Sequence, residues 1–263
     1  HNADGAGFVC WQWKANGGST TTNDASATSV GNQDSTYQAN TTAGFSIVTY
    51  NGVSQVGTMA HGLGVVPHVM IVKCRSAAGE RWEVYHHKNT SAPETDHLEL
   101  SATDATSDSA HTWNDTAPTS TIFTVNNSGS NNEDGKTYLM YLFSEKQGYS
   151  KFGSYTGNGN ADGPFVYTGF KPAWIMQKNT ADSTNWNIHD NKRSTFNTVD
   201  DILMANATDA EGAVGGKSID FLSNGFKLRG NDNETNDTDD VHIYMAFAHQ
   251  PFVTSGGVPC TAR

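Results

Sequence analysis

Charge is sparse in this sequence, and positive charge sparser still. Charged residues fill 16% of 263 positions, and 16 Lys and Arg against 27 Asp and Glu leave a net charge of −11. The basic residues nowhere form a run longer than a pair such as Lys192-Arg193. A duplex rewards clustered Lys and Arg that displace its condensed counterions, so no nucleic-acid partner is expected, and an anionic membrane surface is disfavoured on the same ground. Apolar runs such as residues 69–72 have strand length, against the roughly 20 residues a helix needs to cross a bilayer, so membrane insertion is not expected. Three cysteines, Cys10, Cys74 and Cys260, permit at most one internal disulfide and leave the redox compartment open. No Gly-x-Ser-x-Gly elbow, phosphate-binding glycine loop or zinc-type Cys/His spacing occurs, which leaves a nucleophilic hydrolase, a nucleotide enzyme and a zinc ribbon without a motif. A sustained i, i+3, i+4 apolar pattern is absent as well, and with no crossover helices a parallel α/β sheet is excluded. The opening His1-Asn2-Ala3-Asp4-Gly5 is polar, with neither an initiator Met nor a signal-peptide pattern, so the chain reads as the C-terminal piece of a longer polypeptide.

What the sequence does carry is short apolar runs rich in Val, Ile, Tyr, Phe and Trp between clusters of Gly, Asn, Asp and Ser, the signature of an all-β protein. Strands are predicted over residues 7–13, 44–50, 68–73, 82–86, 122–125 and 137–143, then over 151–155, 173–177, 186–189, 220–222, 225–228 and 242–247. Residues 96–106 and 200–211 fit either a short helix or a strand and loop. The second set repeats the first. Val48-Thr49-Tyr50-Asn51-Gly52 matches Gly153-Ser154-Tyr155-Thr156-Gly157 at an offset of 105, and residues 64–73 match residues 169–178 at the same offset. Trp82 falls on Trp186, Ala102-Thr103-Asp104-Ala105 on Ala207-Thr208-Asp209-Ala210, and Phe143 on Phe247.

At 263 residues the chain has the length of about two domains. The expected architecture is all-β: two tandem antiparallel β-sandwich modules, jelly-roll-like, at residues 43–147 and 148–252. Residues 8–14 match the closing strand of both modules, with Trp13 at the place of Phe143 and Phe247. Residues 1–42 therefore read as the last strand of a preceding module plus a Gly/Ser/Thr/Asn-rich linker, in which 26–30 is an edge-strand candidate, and 253–263 as an extended tail. The short Lys146-Gln147-Gly148 connection predicts closely docked modules in a stiff rod.

The runs at 43–50, His61-Gly62-Leu63-Gly64, 116–120, 148–157, 162–170 and 219–228 resemble a tandem domain of unknown function that recurs in structural proteins of marine tailed phages, often near laminin-G or concanavalin-like modules. The ending Val258-Pro259-Cys260-Thr261-Ala262-Arg263 resembles that family's C-terminus, and the likeness covers nearly the whole chain. It implies a virion appendage such as a tail fibre, and it brings no catalytic or ligand-binding residues with it. One departure is Val53-Ser54-Gln55-Val56, which stands where the second module keeps a Gly-rich turn.

Candidate chemistry is thin. Glycoside hydrolysis needs two carboxylates across one cleft. Glu80, Glu83, Asp96 and Glu99 lie near the Trp82 hairpin, but Glu83 becomes Asn187 and Glu99 becomes Met204 in the second module, so these acids read as solvated loop charges and no catalytic residue is assigned. His86 and His87 point to opposite faces of a strand, which argues against one ion shared with His61, His68 or His97. The loop at 230–240 supplies Asp232, Glu234, Asp237 and Asp239, the hard-oxygen inventory that calcium prefers, without the glycine and terminal Glu of an EF-hand. A solvated hairpin tip is the competing reading. Trp82, Trp113, Trp174 and Trp186 are the candidates for stacking on a sugar ring. Trp82 and Trp186 recur at matching positions, which argues for a core role, whereas Trp113, with Asn114 and Asp115 beside it, has no counterpart and is the expected surface contact.

The function expected is non-enzymatic adhesion to a host surface glycan or protein through loop tips, by a homo-oligomeric appendage of the virion that multiplies weak sites. The alternative is a structural or decoration protein that binds neighbouring virion subunits or copies of itself. Exposed aromatic loop tips favour the first, and apolar patches on the module sides favour the second.

Overall fold

The computed structural model describes residues 4, 5 and 7–251. Nineteen strands fall in these residues, every pair antiparallel. In the first half they are β1 (Thr21–Asn23), β2 (Ser35–Asn40), β3 (Phe45–Asn51), β4 (Gly57–Ala60), β5 (Val69–Cys74), β6 (Trp82–His86), β7 (Asp96–Glu99), β8 (Ser107–Asp108), β9 (Ile122–Val125) and β10 (Thr137–Phe143). The second half holds β11 (Ser150–Thr156), β12 (Phe165–Tyr167), β13 (Pro172–Asn179), β14 (Asn187–Asp190), β15 (Asp201–Met204), β16 (Gly212–Ala213), β17 (Ile219–Leu222), β18 (Gly225–Leu228) and β19 (Val241–Ala248). Single helical turns α1 (Ala25–Thr28), α2 (Ala110–Trp113) and α3 (Asn233–Asn236) close loops.

One large sheet has the order β1-β2-β3-β10-β5-β6-β7-β8, and the other β11-β19-β13-β14-β15-β16. From β3 onward the first order is that of the second, strand for strand. Two small sheets, β4-β9 and β12-β18-β17, complete the set. Alternation along each strand sends side chains to opposite faces. On β10, Tyr138, Met140 and Leu142 join Met59, Phe123 and Val125 of the small sheet, while Phe143 faces the other way. On β19, Tyr244 and Ala246 join Phe221, Phe226 and Leu228, while Ile243, Met245 and Phe247 face Phe143 and Ile71. The result is four stacked layers, small, large, large, small, with one core in each sandwich and a third between the large sheets. The strands of the large sheets are apolar on both faces because both faces are covered.

The expected rod is therefore corrected: the two halves dock face to face through their large sheets. Polar contacts reinforce the docking, with Trp186 donating its indole N–H to the Glu99 carbonyl at 2.8 Å. His86 and His87 bind the carbonyls of Tyr244 and Phe152 through their Nε2 atoms at 3.2 and 2.8 Å.

The two halves also correspond in detail. Tyr50 donates its hydroxyl to the Asn131 carbonyl and Tyr155 to that of Thr235, at 2.7 and 2.6 Å. Gly52 and Gly157 each lie where a Cβ would run into a backbone carbonyl, of Glu133 and Asp237 respectively. Only glycine allows that approach, which explains why both copies keep it.

Three expectations fail on the N-terminal segment. Residues 7–13 form no strand and pair with no sheet, because Trp11 and Trp13 are drawn into the gap between the large sheets instead. Residues 16–42 are not a linker: β1 and β2 extend the first large sheet through the pairing of β2 with β3. Of the edge strand expected at 26–30, residues 26–28 lie in α1, which the Asp24 carboxylate caps at the Ala27 amide. Residues 96–99 and 201–204 are strands, not helices. The predicted tail at 253–263 lies outside the described residues.

Candidate functional site

Trp113 is not a surface contact. It ends α2 fully buried, donates its indole N–H to the Asp96 carbonyl at 3.1 Å and meets Tyr85 edge to face at 6.0 Å. A single helical turn, capped by Ser109, tips the ring inward to fill the first sandwich. Asn114 and Asp115 take left-handed backbone conformations, φ 53° and 47°, and form the turn that follows.

The loop at 230–240 does not gather its four acids around one point. Asp232 caps α3 by accepting from the Glu234 amide, and Asp239 sits in a left-handed turn at φ 64°. Glu234 is already engaged by the Lys217 ammonium at 2.6 Å and by the amides of Asn185 and Asn187. Burial pushes its carboxyl up, and these donors more than offset that, so its pKa is lowered. Only Asp237 joins an oxygen group, with Asp182 and Asp240.

The acids near Trp82 are not all solvated either. Glu83 is 4% exposed, and burial pushes its carboxyl up to about 7. Trp174 and Trp186 are buried between the large sheets, with Trp82 partly buried against the same core.

Two concavities matter. The larger, about 630 Å³, is the opening of the inter-sheet core and is lined by Trp82, Trp174 and Tyr141 among others. The N-terminal segment forms part of its wall, where Trp13 meets Phe143, Trp174 and Phe247 at 6.3, 5.4 and 5.3 Å. The smaller, about 240 Å³, lies under the loop between β14 and β15. At the start of that loop Asp190 accepts the amides of Lys192 and Arg193, and its second oxygen takes the Arg193 Nε at 2.6 Å. Burial pushes the Asp190 carboxyl up, and these donors more than offset it, holding it below its ordinary value. Further along, Ser194 donates to the Asp201 carboxylate, and Asn197 exchanges two hydrogen bonds with the Phe221 backbone. With both flanks pinned, the apex projects Phe196 into solvent at 84% exposure, the largest value among the large apolar side chains of the described residues.

Lys171, Lys192, His249, Asn191 and Thr195 share this pocket with Phe196, and none of its ten lining residues is Asp or Glu. Among the described residues neither Lys171 nor Lys192 pairs with a carboxylate. The site thus combines an aromatic face, hydroxyl and amide groups and local positive charge on a chain of net charge −11. It has no carboxylate pair with which to cleave a glycosidic bond. Sequence reasoning missed Phe196, although a lone aromatic in the polar run 191–200 is a readable signal.

Stacked antiparallel sheets with a carboxylate-free surface pocket place the chain among all-β sandwich proteins. More narrowly, it belongs to the family described as a domain of unknown function, DUF7483, whose model matches residues 1–251 and so spans both sandwiches. No curated protein and no solved structure matches it.

Proposed function

We propose that this chain is a non-enzymatic adhesion module that binds an acidic sugar unit of a host surface glycan at the Phe196 pocket, as part of a virion appendage. The observation that carries the reading is the pairing of an exposed aromatic ring with two unpaired ammonium groups and no carboxylate. Sugars offer apolar C–H faces to an aromatic ring and hydroxyls to Asn and Thr, while a uronate-type carboxylate suits Lys171 and Lys192. At about 240 Å³ the pocket is below the usual 300–1,000 Å³ of small-molecule sites, which suits one sugar unit held weakly and strengthened by multiple copies. The resemblance to phage structural proteins supports the virion setting.

The test is native affinity electrophoresis through gels cast with alginate, a polyuronate, or with laminarin, a neutral glucan. Retardation by alginate above laminarin, with no reducing ends released, is the expected result. Equal mobility in both gels and in plain gel would overturn the proposal.

A second reading, contact with neighbouring virion subunits, draws support from β12. It is an edge strand whose Phe165 and Tyr167 are 46% and 63% exposed, a ready surface for another chain.

A further inference from the structure

We propose that Glu83, His97 and Glu99 form a binding site for one divalent ion of the Zn²⁺ type in the first sandwich. Glu83 and Glu99 stand directly opposite in the β6–β7 pairing, and His97, two residues before Glu99, shares their face of the sheet. Two carboxylates in that cross-strand position repel, and a cation between them would relieve the repulsion. One ligand atom from each of the three residues lies within 4.8 Å of the other two. The His97 Nε2 is 3.6 Å from the Glu83 Oε2, close to the ~3.4 Å between two ligands held about 2.1 Å from a tetrahedral ion.

A second observation points the same way. Glu83 and His97 are only 4% and 6% exposed, yet the Glu83 Oε2 has no hydrogen-bond partner, and this orphaned oxygen is the one that faces His97. A buried polar atom left unpaired is costly, and a metal ion at the centre of the trio would satisfy it. Arg81 holds the Glu99 Oε1 at 2.7 Å from the solvent side, the kind of outer contact that orients a ligating carboxylate. An imidazole with two carboxylates suits Zn²⁺ better than Ca²⁺, which takes six to eight oxygens. The second sandwich serves as an internal control: Asn187, Ile202 and Met204 stand at the corresponding positions and could not hold such an ion.

The test uses the full chain, stripped with a chelator and dialysed against micromolar Zn²⁺, with bound metal counted by mass spectrometry. One equivalent is expected, lost in Glu83→Gln and in His97→Gln but kept in Asp182→Asn, which alters the other acidic group. No bound metal in the wild type, or loss only in Asp182→Asn, would overturn the assignment. Co²⁺ loading of the wild type needs no variant to fold: intense visible bands of a tetrahedral site are expected, and the pale spectrum of hydrated Co²⁺ would count against it.

Discussion

Phe143 and Phe247 hold the same position in the closing strands of the two halves, and their rings meet at 6.1 Å with planes inclined at 65°. The contact lies in the core between the large sheets, with Phe152 at 6.1 Å from one and 5.7 Å from the other. Each half thus buries the outer face of its large sheet against that of the other half. Neither half could expose that face to water without presenting Ile71, Trp174, Met245 and their neighbours as one large apolar patch.

The first consequence concerns cooperativity. Phe247→Ala should destabilise the protein by about 3–5 kcal/mol, and unfolding in urea should remain a single transition when followed by tryptophan fluorescence and by circular dichroism. Two separated transitions, one per sandwich, would show that the shared core does not couple the halves.

How much of this was legible follows from the same geometry. Covered strands must be apolar on alternate residues for two different cores, so the matches from Tyr50 to Tyr155 and from Phe143 to Phe247 stood out in the sequence. Edge strands are under no such demand, and the polar β1 and β2 passed for a linker. Trp113 was misread because absence from the second half was taken as exposure, whereas the first sandwich uses the ring to fill its own core. Phe196 stands out in the sequence as a lone aromatic, but the pinned loop that exposes it does not, and the Glu83–His97–Glu99 trio depends on the β6–β7 register, which spacing along the chain does not reveal.

Trp113 gives a direct check of that correction. Trp113→Ala should lower stability by about 3–5 kcal/mol through the cavity it leaves, and should also strip the Asp96 carbonyl of its donor. Once folded, the variant should be retarded by alginate as strongly as the wild type. Loss of retardation with unchanged stability would return Trp113 to the surface role that its burial denies.

Acid should weaken the fold through buried histidines. Burial lowers the pKa of His86 to about 3, with the neighbouring His87 adding repulsion, and burial lowers that of His189 to about 4, against an ordinary value of 6.5. The unfolded chain then binds protons that the folded chain refuses. Their contribution is complete above about pH 6.5 and is lost as pH falls, toward about 4 for His189 and about 3 for His86, at up to about 1.4 kcal/mol per pH unit for each group. Thermal melts at pH 7, 6 and 5 should show Tm falling at each step, with a shallower fall in His189→Gln. A Tm that stays level from pH 7 to 5 would contradict the neutral, buried state of these rings.

The Phe196 pocket allows stability and binding to be separated. Because Phe196 is 84% exposed, Phe196→Ala should change stability by no more than about 0.5 kcal/mol, yet it removes the aromatic face on which a sugar ring would stack. Replacing Lys171 and Lys192 together by Gln removes the positive charge and leaves the ring. Retardation by alginate should fall in both variants, and that of the wild type should fall as salt rises, since the contacts lie at the surface and are screened. If the contact were purely electrostatic, the Lys double variant alone would lose binding and Phe196→Ala would keep it, and the aromatic half of the proposed site would have to be abandoned.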